Sequence, residues 1–167
     1  GLPAEEVFGS DLAAMRAPGR RPCALVSLVS TEEDLRLGSD IIKHLFKLAY
    51  LTAYRIERAT DFIITVNPRH APFYKHLLQF ESCGEERPYG KVGGAPAVPM
   101  CLDLENAEAR YKARYGHLEG GRNLYRFFID GNEAEMLEWI RLHRQPLDHA
   151  SFQRHFQLER SLLADAL

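Results

Sequence analysis

The chain has 167 residues, a formal net charge of −2 and a hydrophobic content of 46%. This length fits one domain, or one domain with an appendage, and the hydrophobic content supports a globular core. Because binding to nucleic acid in bulk relies on clustered Lys and Arg, the slightly acidic charge argues against that function class. No apolar run approaches the roughly 18 residues of a membrane span, and no stretch resembles a secretion signal. We therefore predict a cytoplasmic protein without a membrane span.

The cysteines and histidines predict neither a disulfide framework nor a metal site. An odd number of widely spaced cysteines favours free thiols in a reducing compartment. The C-terminal histidines fall at six-residue spacings, whereas a helical zinc pair needs i, i+4 spacing, and neither CxxC nor HExxH occurs. The residues concerned are Cys23, Cys83, Cys101, His143, His149 and His155.

The N-terminal part of the chain predicts a helix, a strand and a longer helix. Residues 4–16 favour a short helix interrupted near Gly9, followed by a turn at residues 17–21. The apolar run CALVSLV, residues 23–29, predicts a strand. Apolar residues at three- and four-residue spacing then predict an amphipathic helix from Ile41 to Arg58, capped by Ser39 or Asp40.

Basic side chains of this long helix are predicted to lie largely off its apolar face. They are Lys43, Lys47, Arg55 and Arg58. One interpretation is an ordinary solvated surface; the other is a surface that attracts an acidic carrier protein. The sequence leaves both interpretations open.

The run FIITV, from Phe62 to Val66, is apolar at nearly every position. A strand without alternation is covered on both faces, as in a parallel or mixed sheet that has helices on each side. The order strand, helix, strand, helix predicts an α/β fold. The segment Asn67 to Phe80, NPRHAPFYKHLLQF, predicts a turn and a short helix that ends at an apolar residue.

The segment Glu81 to Leu104 predicts a hairpin, with glycines at its tip in YGKVGGAP. Pro99 lies in the returning arm, where it cannot donate a ladder hydrogen bond, so we expect an edge strand or a bulge there. The chain then becomes more polar and helical. We predict helices at residues 105–115, 122–129, 133–144 and 148–166, packed onto the domain by apolar residues. The packing residues are Leu124, Phe127, Phe128, Trp139 and Phe152.

The strand–turn–helix layout of FIITVNPRHAPFYKHLLQF resembles the last strand–helix unit of the GNAT acyltransferases. The motifs VNPRHAPFYKHLL, GEERPY and GGAPAV narrow this resemblance to the long-chain N-acyl amino acid synthases, which are related in fold to the autoinducer synthases. The resemblance covers roughly Leu2 to Leu104. It implies a GNAT-like mixed sheet flanked by helices at residues 1–104, with residues 105–167 as a helical C-terminal extension.

The resemblance also implies a function and a site. The expected reaction moves an acyl group from a carrier thioester, on acyl carrier protein or coenzyme A, to the amine of an amino acid or similar small acceptor. The strands at residues 23–29 and 62–66 are expected to splay apart. Backbone groups of Leu25, Val26, Ser27 and Leu28 would then hold the thioester arm and the oxyanion, and Tyr74 would protonate the leaving thiolate. The thioester is a co-substrate, and no permanently bound cofactor is expected.

Four further residues are candidates for substrate binding, each with a structural alternative. Asn67 either lines the site or caps the end of the strand, and His70 faces either the cleft or solvent. Arg87 offers a bidentate fork for an amino-acid carboxylate, with Tyr89 beside it. The alternative for both is an ordinary exposed hairpin.

The sequence departs from the family pattern at several positions. Arg36 and Gly38 only hint at the pyrophosphate-binding loop of coenzyme A-dependent GNATs, and Gln79 stands where the motif helix normally ends in Gly. Ala24 and Ser27 stand where charged residues are expected. These departures support an alternative function, a catalytically degenerate module that binds acyl groups or a carrier protein. Only about twenty residues precede the first splayed strand, so we expect the N-terminal strands of the sheet to be missing.

Overall fold

A computed structural model describes residues 2–25, 39–90, 93–129 and 132–145, together with residues 150 and 154, but not the side chains of residues 39 and 40. The strands are β1 Pro22–Ala24, β2 Asp61–Val66, β3 Glu81–Ser82, β4 Arg87–Tyr89 and β5 Ala95–Asp103. The α-helices are α1 Glu5–Phe8, α2 Ser39–Leu51, α3 Ala71–His76, α4 Leu104–Tyr115, α5 Leu124–Phe128 and α6 Glu133–His143. Short 3₁₀ turns lie at Ala13–Arg16, Pro68–His70 and Gly120–Arg122. None of the described helices is both long enough and apolar enough to cross a bilayer.

The strands form one mixed sheet, as the sequence predicts. β1 pairs in parallel with β2, and β2 pairs antiparallel with β5. On its other side β5 pairs antiparallel with both β3 and β4. The parallel pair β1–β2 is joined through α2, which is the βαβ connection that the chain order predicts.

Both faces of β2 are covered. Phe62 and Ile64 point into a large apolar core that also contains Phe46 of α2, and they are 1% and 3% exposed. Ile63 points to the opposite face and is fully buried with Phe8 and Leu12 of the N-terminal segment. The prediction of a strand buried on both sides is therefore confirmed.

The helix after β1 ends differently from the prediction. Its α-helical part runs to Leu51, and a π-helical turn, Thr52–Ile56, completes it. Arg58 lies beyond this turn and has a positive φ of 55°. Lys47 does not fit the interpretation of a solvated surface, because it is only 5% exposed and its Nζ lies 5.3 Å from the centre of the Phe127 ring. The helix is covered on a second side, by α5, which the apolar stripe does not reveal.

Pro99 lies in a central strand rather than an edge strand, and the predicted bulge lies opposite it, where the four residues between β3 and β4 face only two residues of β5. Pro99 pairs with Thr65 in β5, between β2 and the β3–β4 arm, and is buried. Its backbone points away from β2, since its carbonyl accepts from Cys83 N–H at 3.0 Å. The pairing of β5 with the β3–β4 arm is interrupted opposite Pro99. The N–H that proline lacks therefore leaves no carbonyl of that arm without its ladder partner.

The C-terminal helices extend the core formed by the sheet and α2. Buried residues of α4, α5 and α6 belong to the same apolar cluster as Phe62 and Ile64; they are Leu104, Ala107, Tyr111, Tyr115, Leu124, Phe128 and Ile140. The predicted packing of Leu124 and Phe128 is observed, and Phe127 is half-buried. Trp139 does not pack as predicted, because it is 53% exposed. Phe152 and nearly all of the predicted helix at 148–166 lie outside the described residues.

Candidate active site

The parallel pairing of β1 and β2 stops before β2 ends. Its last paired residues are Ala24 and Ile63, after which Leu25 N–H still donates to the Ile63 carbonyl at 2.9 Å. β2 continues through Val66, paired only with β5 among the described residues. Because backbone groups alternate in direction along a strand, those of Thr65 point toward the β1 side. Among the described residues, none pairs with the Thr65 backbone on this side of β2.

Three of the predicted arm-binding residues, Val26, Ser27 and Leu28, lie outside the described residues, as do Arg36 and Gly38. Leu25 is described and is partly buried against the main core. The divergence of β1 from β2 is predicted to begin after Leu25, which is the last described residue of this segment. The divergence therefore stays a prediction.

Tyr74 lies on α3, which follows β2 after one 3₁₀ turn. Its ring contacts Phe46 of α2, Phe73 and Phe80, with centroid distances of 6.2, 5.3 and 6.1 Å. The side chain is half-buried, and no described residue hydrogen-bonds its hydroxyl. Three aromatic rings thus fix the ring of Tyr74 while the hydroxyl keeps its bonding capacity.

Burial raises the pKa of Tyr74 above the ordinary value for a tyrosine. Loss of water disfavours the phenolate, which is the charged form. The hydroxyl is therefore protonated at neutral pH and can act as a proton donor.

Asn67 and His70 lie between β2 and α3. The Asn67 side chain accepts a hydrogen bond from Arg69 N–H at 3.1 Å and so caps the 3₁₀ turn. His70 is exposed, and its Nε2 accepts from Arg69 Nε at 3.0 Å. Capping, one of the two roles left open for Asn67, is present, and His70 lies at the surface.

Arg87 and Tyr89 do not join Tyr74. Arg87 pairs with Asp11 at 2.6 Å and donates to the Val7 carbonyl at 2.9 Å. The Tyr89 hydroxyl donates to the Pro3 carbonyl at 3.3 Å. Tyr89 is buried in the core on the face of the sheet opposite to the one that Tyr74 packs against. Both residues thus attach the N-terminal segment to β4, and neither is on the side of the sheet that carries Tyr74.

Sequence interpretation missed a set of polar residues on α4 that contact the end of α3. The Tyr115 hydroxyl lies 2.9 Å from the carbonyl oxygens of both His76 and Leu77. The Tyr111 hydroxyl donates to the Leu78 carbonyl at 2.8 Å, and Arg110 donates to the Gln79 carbonyl at 3.2 Å. The four-residue spacing of the two tyrosines, which places them on one face of a helix, was the available signal.

The family comparison decides what kind of protein carries this arrangement. Residues 1–103 match the sequence model of the family described as N-acyl amino acid synthase FeeM. This chain belongs to the FeeM family of N-acyl amino acid synthases. The predicted resemblance is therefore confirmed, and the family is one of acyltransferases.

A solved structure agrees with this assignment. The structure of FeeM, an N-acyl amino acid synthase from uncultured soil microbes, matches this chain with a TM-score of 0.56 and 28% sequence identity. The match covers 65% of this chain and 57% of the FeeM chain, so this chain spans little more than half the length of FeeM. It confirms the predicted mixed sheet flanked by helices. A comparison with curated protein sequences gave no match.

The FeeM family match ends at Asp103, where β5 ends and α4 begins. Tyr74 thus lies inside the matched segment, whereas Arg110, Tyr111 and Tyr115 lie beyond it. Helices beyond the match also border a cavity of about 660 Å³, between α2 and the α5–α6 region. Its lining includes Lys47, Phe127 and Trp139 but not Tyr74, so this cavity is separate from the candidate site. Among the described residues, no group of three His, Cys, Asp or Glu is arranged to hold a metal ion.

Proposed function

We propose that this FeeM-family chain is an N-acyltransferase that moves an acyl group from a carrier thioester to the amine of an amino acid or similar small acceptor. One observation carries the proposal. A half-buried tyrosine follows β2 after one 3₁₀ turn, and among the described residues none pairs with β2 beyond Ile63 on the side where β1 lies. Family membership supports the reaction class, and this geometry supports a role for Tyr74 beside the arm.

The thioester arm is proposed to lie along β2, next to residues Leu25 to Leu28. An extended arm that carries amide groups can use strand backbone as an added strand would. The backbone of Thr65 points toward the β1 side of β2, where the arm is proposed to lie. A backbone N–H of this segment would donate to the carbonyl oxygen of the thioester as negative charge develops on it.

Tyr74 is proposed as the general acid. The amine nitrogen attacks the thioester carbonyl carbon, the C–S bond breaks, and the thiolate takes the proton of the Tyr74 hydroxyl. The proton that the amine loses on becoming an amide restores the phenol, so the net products are an amide and a free thiol. Burial raises the pKa of Tyr74, and the same loss of water also raises the pKa of a thiol bound beside it. Proton transfer between the two groups is therefore not penalised by the raised pKa alone.

The proposed donor is an acyl carrier protein or coenzyme A, and the acyl thioester is a co-substrate.

Residues 1–104 are the proposed acyltransferase core, with residues 105–167 as its helical extension. Asn67 and His70 border the proposed site on the α3 side, whereas Arg87 and Tyr89 are left out because they attach the N-terminal segment on the other face.

Mass spectrometry of reactions with acyl thioesters and pooled amino acids tests the proposal. The protein is incubated with octanoyl thioesters of acyl carrier protein and of coenzyme A, and N-octanoyl amino acids are quantified. Tyr74→Phe is expected to lower turnover by about 100-fold or more, in line with general acid catalysis. Tyr50→Phe is the matched control, because it also removes a buried tyrosine hydroxyl but lies on α2.

Two outcomes would contradict the proposal. Turnover that Tyr74→Phe leaves unchanged would remove the acid role from Tyr74. Saturable binding of the acyl thioester without any amide product would favour the degenerate binding module, which the replacements at Ala24, Ser27 and Gln79 support.

A further inference from the structure

The helix that carries Tyr74 is too short to be stable alone. α3 has six residues, Ala71–His76, whereas isolated helices shorter than about 12 residues are marginal in water. The last carbonyls of any helix also lack partners within it. Besides the aromatic rings that contact Tyr74, its orientation therefore also depends on what holds the C-terminal end of α3.

Three side chains of α4 contact four successive carbonyls at that end, and the single hydroxyl hydrogen of Tyr115 is shared between two of them. Tyr115 contacts those of His76 and Leu77, Tyr111 that of Leu78, and Arg110 that of Gln79; these three residues are the α4 clamp. Tyr111 and Tyr115 are 2% and 7% exposed. The hydrogen bond from Tyr111 to the Leu78 carbonyl is buried, so its loss would leave a buried carbonyl unpaired.

Gln79 contributes to the same arrangement. Its φ of 60° is in the left-handed region that favours glycine. Its side-chain amide lies 3.3 Å from the His76 carbonyl and 3.5 Å from the Tyr115 hydroxyl. The residue that departs from the family's usual glycine thus has a contact to the α4 clamp that glycine could not make.

The α4 clamp is connected to Tyr74 through the backbone. The Tyr74 carbonyl accepts from both Leu78 N–H and Phe80 N–H at 3.1 Å. The carbonyls that the α4 clamp contacts belong to residues 76–79, which lie between Tyr74 and Phe80 in the chain. We therefore expect a change at residues 76–79 to shift the backbone of Tyr74, and with it the hydroxyl.

We propose that Tyr111 and Tyr115 are positioning residues, which hold Tyr74 where its hydroxyl meets the leaving thiolate. The inference rests on the proposed acyltransferase function. It assigns a catalytic purpose to α4, which lies beyond the family match at residues 1–103.

A comparison of leaving groups tests this role. Octanoyl pantetheine releases an alkyl thiolate that needs a proton, whereas octanoyl thiophenol releases a weakly basic aryl thiolate that needs little help from an acid. Turnover with each donor is measured for wild type, Tyr74→Phe, Tyr115→Phe and Tyr50→Phe. The kcat of each variant is divided by the wild-type kcat with the same donor. Intrinsic differences in reactivity between the two donors therefore cancel.

We expect Tyr115→Phe to lower kcat with octanoyl pantetheine by about 10- to 100-fold, since a displacement of about 1 Å can cost 100-fold. The loss with octanoyl thiophenol should be less than about 3-fold. Tyr74→Phe should show the same selectivity with larger losses, and Tyr50→Phe should show neither. Arg110→Met gives a second, partly exposed variant of the α4 clamp, for which a smaller selective loss is expected.

The outcomes separate the two proposals. If Tyr74→Phe lowers turnover equally with both donors, the acid role of Tyr74 is wrong. If Tyr74→Phe is selective but Tyr115→Phe and Arg110→Met affect both donors equally or not at all, the α4 clamp is only structural and the inference is overturned.

Discussion

Removal of the Tyr111 hydroxyl is expected to destabilise the protein measurably. This hydroxyl donates to the Leu78 carbonyl at 2.8 Å, and the two residues are 2% and 0% exposed. In Tyr111→Phe the ring still fills its place, so the change removes one hydrogen bond and leaves one buried carbonyl without a partner. The cost of such a group is about 1–3 kcal/mol in the free energy of unfolding.

The matched variant is Tyr50→Phe. The Tyr50 side chain is 3% exposed, and its hydroxyl has no hydrogen-bond partner among the described residues. Its removal should leave stability unchanged or raise it by up to about 1 kcal/mol, because a buried unpaired hydroxyl is itself unfavourable. The two variants thus remove the same atom type from similar depth and differ in whether that atom has a partner.

Urea unfolding followed by circular dichroism measures both changes. Tyr111→Phe should lower the midpoint without a change in slope, which identifies a change in stability rather than in the unfolded state. The thermal midpoint should fall by roughly 2–12 °C for a protein of this size. If Tyr111→Phe is as stable as Tyr50→Phe, the hydrogen bond to Leu78 does not contribute as its geometry indicates.

Two further predictions concern other parts of the molecule. Gly84→Ala should lower the free energy of unfolding by about 1–3 kcal/mol, because a Cβ there would lie 2.8 Å from Pro99 Cγ. The control Gly90→Ala places its Cβ in open space and should change stability little. Thermal unfolding measures both variants. Burial lowers the pKa of Lys47, so its charge opposes folding at neutral pH and this penalty disappears as pH rises past the ordinary lysine pKa of about 10.4. The stability of wild type relative to Lys47→Met should therefore rise between pH 8 and pH 11 in urea titrations, and a fall or no change would contradict this; the exposed control Lys75→Met should show a smaller pH dependence.

The local features of the site were predictable from the sequence. The run Phe62 to Val66 has no polar residue except Thr65, and this pattern is sufficient to predict a strand covered on both faces. The segment after it places Tyr74 on a short helix, because Asn67-Pro68 ends the strand and starts a new turn. These predictions depend on residues that are neighbours along the chain.

Features that depend on distant contacts were not predictable. The pairing of Arg87 with Asp11 joins residues 76 positions apart, and the hairpin sequence gives no sign of that partner. Lys47 is predicted to lie off the apolar face of α2, because the apolar stripe shows only one buried side. Its burial depends on α5, whose position is decided by the packing of several helices. A central strand tolerates Pro99 because the pairing of β5 is interrupted on the side to which the backbone of Pro99 points. That interruption depends on the β3–β4 arm and not on the residues beside Pro99.

The junction between β5 and α4 contains no loop. Asp103 is the last residue of β5, and its side chain accepts hydrogen bonds from Glu105 N–H and Asn106 N–H at 3.0 and 3.1 Å, so it also caps the helix. Leu104, the first helical residue, still donates to the Thr60 carbonyl at 2.9 Å. Since a helix turns about 100° per residue, one inserted or deleted residue here would rotate both tyrosine hydroxyls away from the carbonyls that they bind. Chain length is therefore fixed at this point, and natural variation in length is expected at the hairpin tip or between the later helices instead.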